Sequence, residues 1–394
     1  MILLIEITMQ VKISVNRKGG FKMRYEARFV VHTHTHITTL YRPKGKKSLE
    51  LAAKGLWNGL NGEVEPFDNS PLCLYDMQRY GIDMCLLKPS MIGTTNEAQA
   101  ELVDRYPDKF RAFCADQTLK LKVWREEAKW TLDAAAEEVE AALKTGKFIG
   151  IGEFVPRDTD PKKVCTFKER LNEYRTFAEL ARKYNVTLDF HDFAWGYEWD
   201  TYQLLSRISM EYPDVPIIFC HAGYSIGSYT EGADVIRKAC AVAGRGIVGG
   251  GGANIYLETG TWPAEFFEIA LKDPNVGVTQ LIWGGDYGHV PQYIVPNPGR
   301  EPSSFSTAMR KWPPVPTYQI DWWGWSLHQI HKIRDWVTQD EINLILGGNA
   351  ARIFKLPVPH ERMFLDGRPD IYGVDWEKSV PFIPEDQIVN KDKK

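Results

Sequence analysis

Eight short, β-rich apolar runs recur along the chain with helical patterns between them, and no other feature constrains the fold as tightly. The runs are ARFVVHTH (27–34), DMCLLKP (83–89), FRAFCAD (110–116), FIGIGEFV (148–155), VTLDFHDF (186–193), PIIFCHAG (216–223), NIYLETG (254–260) and QLIWGGD (280–286). Between them lie segments such as NEAQAELVDRY, TLDAAAEEVEAALKTG and FKERLNEYRTFAELARKY, whose apolar residues recur at three and four and which end near Gly or Asn. Near-continuous apolar strands joined by helices are buried on both faces and make a parallel sheet, and eight such units are the count that closes a (β/α)8 barrel. A chain of 394 residues could hold two domains, but such barrels run past ~250 residues as one unit. The expectation is therefore one α/β barrel over residues 23–360, with a 1–22 extension before it and a 361–394 tail after it. Three connections are long and rich in Trp, Pro and Gly, at about 37–81, 194–201 and 287–333. Insertions of that kind are usually lids, binding loops or partner surfaces. The glycine-rich patch GRGIVGGGGAN (244–254) reads as a mobile connection into the seventh strand.

Composition excludes several classes. A net charge of −3 with 25% charged residues offers no basic excess for a phosphate backbone, so no nucleic-acid partner is expected. The opening MILLIEITMQVKISV carries Glu6 within its apolar stretch and has no basic n-region or small-residue cleavage site; it reads as a strand pair rather than a signal peptide, with Met23 as an alternative start. No apolar run approaches the ~20 residues of a membrane span. Six scattered cysteines without a CxxC pair fit buried thiols in a cytoplasmic protein.

Polar residues able to hold a metal stand near the ends of five of the eight runs. In VVHTHTHITTL, His34 and His36 end the first, with His32 two residues earlier; Glu153 ends the fourth, His191 the fifth, His221 the sixth and Asp286 the eighth. Residues two apart on a strand share a face at roughly 6.5 to 7 Å, so an HxH pair can lean onto one ion. Catalytic groups in such barrels come from the C-terminal ends of different strands, so these side chains are expected to converge on one pocket. Imidazole and carboxylate ligands suit zinc, iron or manganese. Taken singly, His191 or His221 reads better as a hydrogen-bonded core histidine, and Glu153 or Asp286 as a helix cap; taken together they favour a metal site.

The order HxH, Glu, His, His, Asp, with the phrases PIIFCHAG, LIWGGDYGH and INLILGGNAARIFKL, resembles the amidohydrolase superfamily. The likeness is nearest to its amidohydrolase-related branch of aminocarboxymuconate semialdehyde and resorcylate-type decarboxylases, and it runs from about Arg28 to Leu356. The resemblance implies a distorted (β/α)8 TIM barrel with long βα-loop insertions. It also implies His34, His36, His191 and Asp286 as ligands of a first metal, with Asp286 the proton acceptor and His221 a polariser of substrate or ligand of a second metal. Glu153 stands where dinuclear relatives bridge two ions, so one or two divalent cations are implied, zinc first and iron or manganese as alternatives. Two positions depart from the pattern. His32 replaces an aspartate, and a neutral imidazole cannot supply its charge, so it is read as a partner of the ligands or a residue packed lower in the barrel. GGDYGH brings in His289 as a substrate contact or a loop residue.

A divalent ion lowers the pKa of bound water from about 15.7 toward 7 and acts as a Lewis acid, so hydrolysis or non-oxidative decarboxylation of a small carboxylated or aromatic substrate is the first reading. A dinuclear iron or iron/manganese oxygenase and an inactive partner subunit are the alternatives. Trp195, Tyr197, Trp199 and Trp262 are candidate aromatic walls, and Lys88 and Arg157 are candidate cations for a substrate carboxylate. Aromatic-rich 321–336 reads as lid or interface, pointing to a homo-oligomer or a hetero-oligomer with a homologous subunit. His328 and His331 are assigned to a helix surface there.

Overall fold

The computed structural model describes residues 12–15, 21–24, 29–37, 40–43, 45–53, 64–68, 70–89, 94–124, 127–153, 166–191, 198–223, 232–244, 254–260, 262–274, 276–285, 287, 322–359 and 388–389. A strand forms within each of the eight apolar runs: β1 (Val31–Thr35), β2 (Met84–Leu87), β3 (Phe110–Cys114), β4 (Phe148–Ile151), β5 (Thr187–Phe190), β6 (Ile217–Phe219), β7 (Ile255–Glu258) and β8 (Leu281–Ile282). They make one sheet in chain order, every neighbouring pair parallel. The sheet then closes on itself. Thr33 N–H donates to the Trp283 carbonyl at 2.9 Å, His36 N–H to Tyr287 at 2.7 Å and Tyr287 N–H to His34 at 3.1 Å. The expected (β/α)8 barrel is thus observed.

Helices follow the strands: α1 (Ser70–Tyr80), α2 (Asn96–Arg105), α3 (Leu132–Leu143), α4 (Phe167–Tyr184), α5 (Glu198–Glu211), α6 (Gly232–Ala243), α7 (Ala264–Lys272) and α8 (Trp322–Lys332). Helix α4 shows why. Thr166 and Glu169 form a reciprocal capping box that satisfies its first orphan N–H groups, Leu171, Tyr174, Phe177, Ala178 and Ala181 make the buried stripe, and Asn185 ends it in the left-handed region at φ 55°.

Alternation along each strand sorts side chains between two cores. Cys85, Leu87, Phe110, Ala112, Leu188, Phe190, Ile217, Phe219 and Leu257 face outward into the large core shared with the helices. Phe29, Val31, Met84, Leu86, Phe113, Ile218 and Ile282 fill the lower lumen together with Ile353, Phe354 and Leu356. The C-terminal phrase LGGNAARIF supplies that floor. Asn349 Nδ2 donates to the Val278 and Leu281 carbonyls, both at 2.8 Å, and Trp283 N–H reaches Ile345 at 3.0 Å. A Cβ on Gly347 would stand 1.8 Å from the Phe29 carbonyl oxygen, so only glycine allows this close approach to β1.

Outside the barrel, Lys12–Val15 pairs antiparallel with Phe21–Arg24, Leu40–Pro43 with Val64–Phe67 within the first long connection, and Val358–Pro359 runs parallel to Ile388–Val389. The glycine-rich stretch, the loop after β5 and most of the segment after β8 lie outside the described residues, as does Cys165. The other five cysteines are buried and free. No helix among the described residues is long and apolar enough to cross a membrane.

Candidate metal centre

Strand β1 does not keep a simple alternation, and that break builds the site. Its register against β2 shifts between His32 and Thr35. Consecutive Thr33 and His34 both reach Glu258, through Oγ1 at 2.9 Å and Nδ1 at 2.6 Å, which a flat strand forbids. His32 faces the other way. Its ring packs edge-on against Trp283 at 4.8 Å and Trp323 of α8 at 5.1 Å. Its Nε2 accepts the Gly285 N–H at 2.6 Å, so Nδ1 carries the proton toward Thr35 Oγ1 at 2.7 Å. The three alternating histidines therefore do not share a face: His32 anchors the end of β8 from the helix side, and His34 and His36 meet over the lumen.

Above the lumen, His34 Nε2 and His36 Nε2 lie 3.0 Å apart, and Glu153 Oε2 stands 3.2 Å from the first and 3.4 Å from the second. The other oxygen of Glu153 pairs with His191 Nε2. The His221 ring stacks on His34 at 4.5 Å, and ligand atoms of His34, Glu153 and His221 lie within 4.8 Å of one another. His221 and Ala222 hold the left-handed conformations φ 53° and 49°, a costly backbone for residues with a Cβ and one that clusters at functional sites. Burial alone would push Glu153 up, but His191 and His34 hold its carboxyl well below the usual range.

Two acceptors fix the imidazoles from behind. Glu258 accepts from His34 Nδ1 at 2.6 Å, and the Lys88 carbonyl, which can only accept, takes the His36 Nδ1–H at 3.0 Å. With Nδ1 engaged in each ring, the two Nε2 atoms face one another and the Glu153 carboxylate, an arrangement that suits a cation among them. Burial works against a charged His34, yet Glu258 raises its pKa above the ordinary value. Three imidazoles converging on a carboxylate fit a divalent zinc, iron or manganese ion.

Beneath the histidines lies a charged layer. Lys88 is wholly buried; its Nζ donates to Asp189 Oδ2 at 2.7 Å and Glu258 Oε1 at 2.8 Å and stands 3.4 Å from both Cys220 Sγ and His34 Nδ1. The expectation of Lys88 as a cation for substrate is corrected here: two strand carboxylates turn its ammonium inward, below the ligands. Despite burial, Asp189 and Glu258 hold its pKa above the usual lysine value. Burial lifts Asp189 to about 6, against the pull of Lys88, and His34 and Lys88 keep Glu258 low against burial. Gly284 makes room for this layer, since a Cβ there would meet Thr33 Oγ1 at 2.6 Å and Glu258 at 2.8 Å.

The structure thus brings His34, His36, Glu153, His191 and His221 together. Asp286, His289, Trp195, Tyr197, Trp199 and Arg157 fall outside the residues whose side chains are described. Trp262 is buried, its indole N–H toward the His221 carbonyl at 3.4 Å, so it supports that turn instead of walling a pocket. His328 and His331 are exposed on α8. Sequence reasoning missed Asp189, Glu258, Cys220 and Thr33. The signal for the carboxylates was present: each is a charge inside an apolar strand, and Asp189 stands two residues before His191, on the same face.

Solved structures of similar shape include 4-oxalomesaconate hydratase from Rhodopseudomonas palustris, with 14% identity over 83% of this chain and 96% of that one at a TM-score of 0.48. An organophosphorus hydrolase variant from Deinococcus radiodurans shows 13% identity over 84% and 93%, TM-score 0.47. Dihydroorotase from Saccharomyces cerevisiae shows 11% over 84% of both, TM-score 0.44. No curated protein sequence matches the chain. The family model described as amidohydrolase matches residues 33–356, from the strand that carries the paired histidines to the phrase that floors the barrel, and the chain belongs to that family.

Proposed function

We propose that this chain is a metal-dependent hydrolase or non-oxidative decarboxylase acting on a small carboxylated or aromatic substrate at the C-terminal mouth of the barrel. The observation that carries the reading is the convergence of the His34 and His36 Nε2 atoms, 3.0 Å apart, on Glu153 Oε2. His34, His36, Glu153 and His191 would hold one or two divalent ions, zinc first, with Asp286 completing the set. When bound, such an ion supplies Lewis acidity to a substrate carbonyl or carboxylate and acidity to water.

The chain's own groups supply the rest. Glu258 keeps His34 in its ligating tautomer, and Glu153, spanning His34 and His191, sets the spacing between their strands. His221, on its left-handed turn beside the cluster, would polarise a substrate atom or hand it a proton, a role it would share with Asp286. His289 and Trp195 are assigned to substrate contact on their positions in the loops after β8 and β5.

Metal analysis by mass spectrometry on protein purified without chelator tests this reading. Zinc is expected, with about half of it lost in Glu153→Ala if two ions are bridged and little lost if one is bound. Iron accompanied by oxygen uptake would move the assignment to an oxygenase, and absence of bound metal would reject it.

A further inference from the structure

Glu153 and the histidine Nε2 atoms make the upper cluster, and a second, separate group of donors lies below it. Side-chain donor atoms of His34, Cys220 and Glu258 stand within 4.8 Å of one another, all three residues fully buried or nearly so. Asp189 joins them from β5: its Oδ2 is 3.6 Å from Cys220 Sγ, and its Oδ1, in a side chain with no exposure, has no hydrogen-bond partner among the described residues. Two carboxylates and a thiol around one point are a donor set for a divalent ion, with the His34 ring of the upper cluster bordering them. That point is taken by Lys88 Nζ, which touches Asp189, Glu258, Cys220 and His34 at 2.7, 2.8, 3.4 and 3.4 Å.

We propose that the Lys88 ammonium is a built-in cation occupying a second metal pocket below the histidine cluster, and that it confines metal to the upper set. The charge balance requires a cation there. Asp189 and Glu258 lie in a wholly buried layer, and burying unpaired carboxylates is prohibitively costly. An ammonium on a tethered stem meets that need at fixed stoichiometry. It also holds Glu258 Oε1, so that Oε2 is always presented to His34. Lys88 is in this sense a positioning residue: it sets how many ions the mouth takes and which atoms take them.

Cobalt(II) is the probe, because a thiolate ligand gives it a near-ultraviolet charge-transfer band that imidazole and carboxylate do not. Wild-type protein stripped of metal and reloaded with cobalt is expected to show no thiolate band. Lys88→Met is expected to retain one more cobalt per chain than wild type after desalting and to show the band, which Cys220→Ser added to it removes. Lys88→Arg, which keeps the positive charge, is expected to match wild type. Where Lys88→Met does not fold, Lys88→Gln, able to hydrogen-bond both carboxylates without charge, carries the same expectation. A thiolate band in wild type would overturn the proposal, as would a folded Lys88→Met or Lys88→Gln with no additional cobalt. The inference rests on the metal reading only for the upper cluster: wild type that binds no cobalt rejects that reading, whereas the extra ion in the variants is counted independently.

Discussion

The lower and upper lumen of this barrel are built from the same strands, two residues apart, and they are chemical opposites. Met84 and Leu86 give way to Lys88, Ile218 to Cys220, Tyr256 to Glu258 and Val31 to Thr33. Below the step the side chains form one apolar cluster closed by Ile353, Phe354 and Leu356; above it, carboxylates, an ammonium and imidazoles satisfy one another. An apolar layer gains stability from area removed from water. A buried charged layer at best offsets its own desolvation and is retained for what it positions. The division matches the general rule that the N-terminal face of such barrels serves stability and the C-terminal face chemistry.

Substitutions in the two layers should therefore separate stability from metal binding. Phe113→Ala, in the lower layer, should cost about 3–5 kcal/mol through the lost transfer energy and the cavity, measured by denaturant unfolding, while metal stoichiometry stays that of wild type. Gly347→Ala should cost about 3 kcal/mol, at the upper end of overpacking, because the obstacle is the Phe29 backbone, which cannot rotate away; again metal content should not change in the folded fraction. Glu258→Gln, in the upper layer, should weaken metal affinity by about 10–100-fold, as expected when the carboxylate behind a ligating histidine is lost. Competition with a chromophoric chelator measures it. If Phe113→Ala lost its metal, or Glu258→Gln kept wild-type affinity, the two layers would not be functionally separate.

The outer helix ring gives the smallest effect. Arg175 bridges α4 to Glu211 of α5 at 2.7 Å, and this bond holds Glu211 down at about 2. A carboxyl whose folded pKa is lowered stabilises the protein above its ordinary value and loses that contribution as pH falls toward the folded one. Wild type should accordingly lose stability between the ordinary 4.5 and about 2, and Arg175→Ala should lose less over that window. At neutral pH the solvent-screened pair should be worth only about 0.5 kcal/mol, read as a small drop in the thermal midpoint.

Much of this organisation is legible in the sequence because its causes are local. Eight apolar runs separated by helical periodicity specify a parallel barrel, and residues at the run ends, His34, His36, Glu153, His191 and His221, are placed by strand length alone. His32 shows where locality fails. Period two puts it beside His34, and only the register shift in β1 turns it toward Trp283 and Trp323. Glu258 shows a second limit: as a charge inside NIYLETG it is conspicuous, but its partners Thr33 and His34 lie 225 and 224 residues away, and nothing along the chain announces the pairing. Lys88 was identifiable as a strand-end cation, yet its direction depended on Asp189 and Glu258 from two other strands. The loops after β5 and β8 carry aromatic residues without periodicity, so position in the barrel is all the sequence says of them.

X-ray absorption at the edge of the bound metal tests the central claim most directly, because it counts ligand types around the ion. With zinc bound, the account expects imidazole nitrogens and carboxylate oxygens at about 2.0–2.2 Å and no sulfur. A sulfur scatterer at about 2.3 Å, or a shell without imidazole, would contradict it.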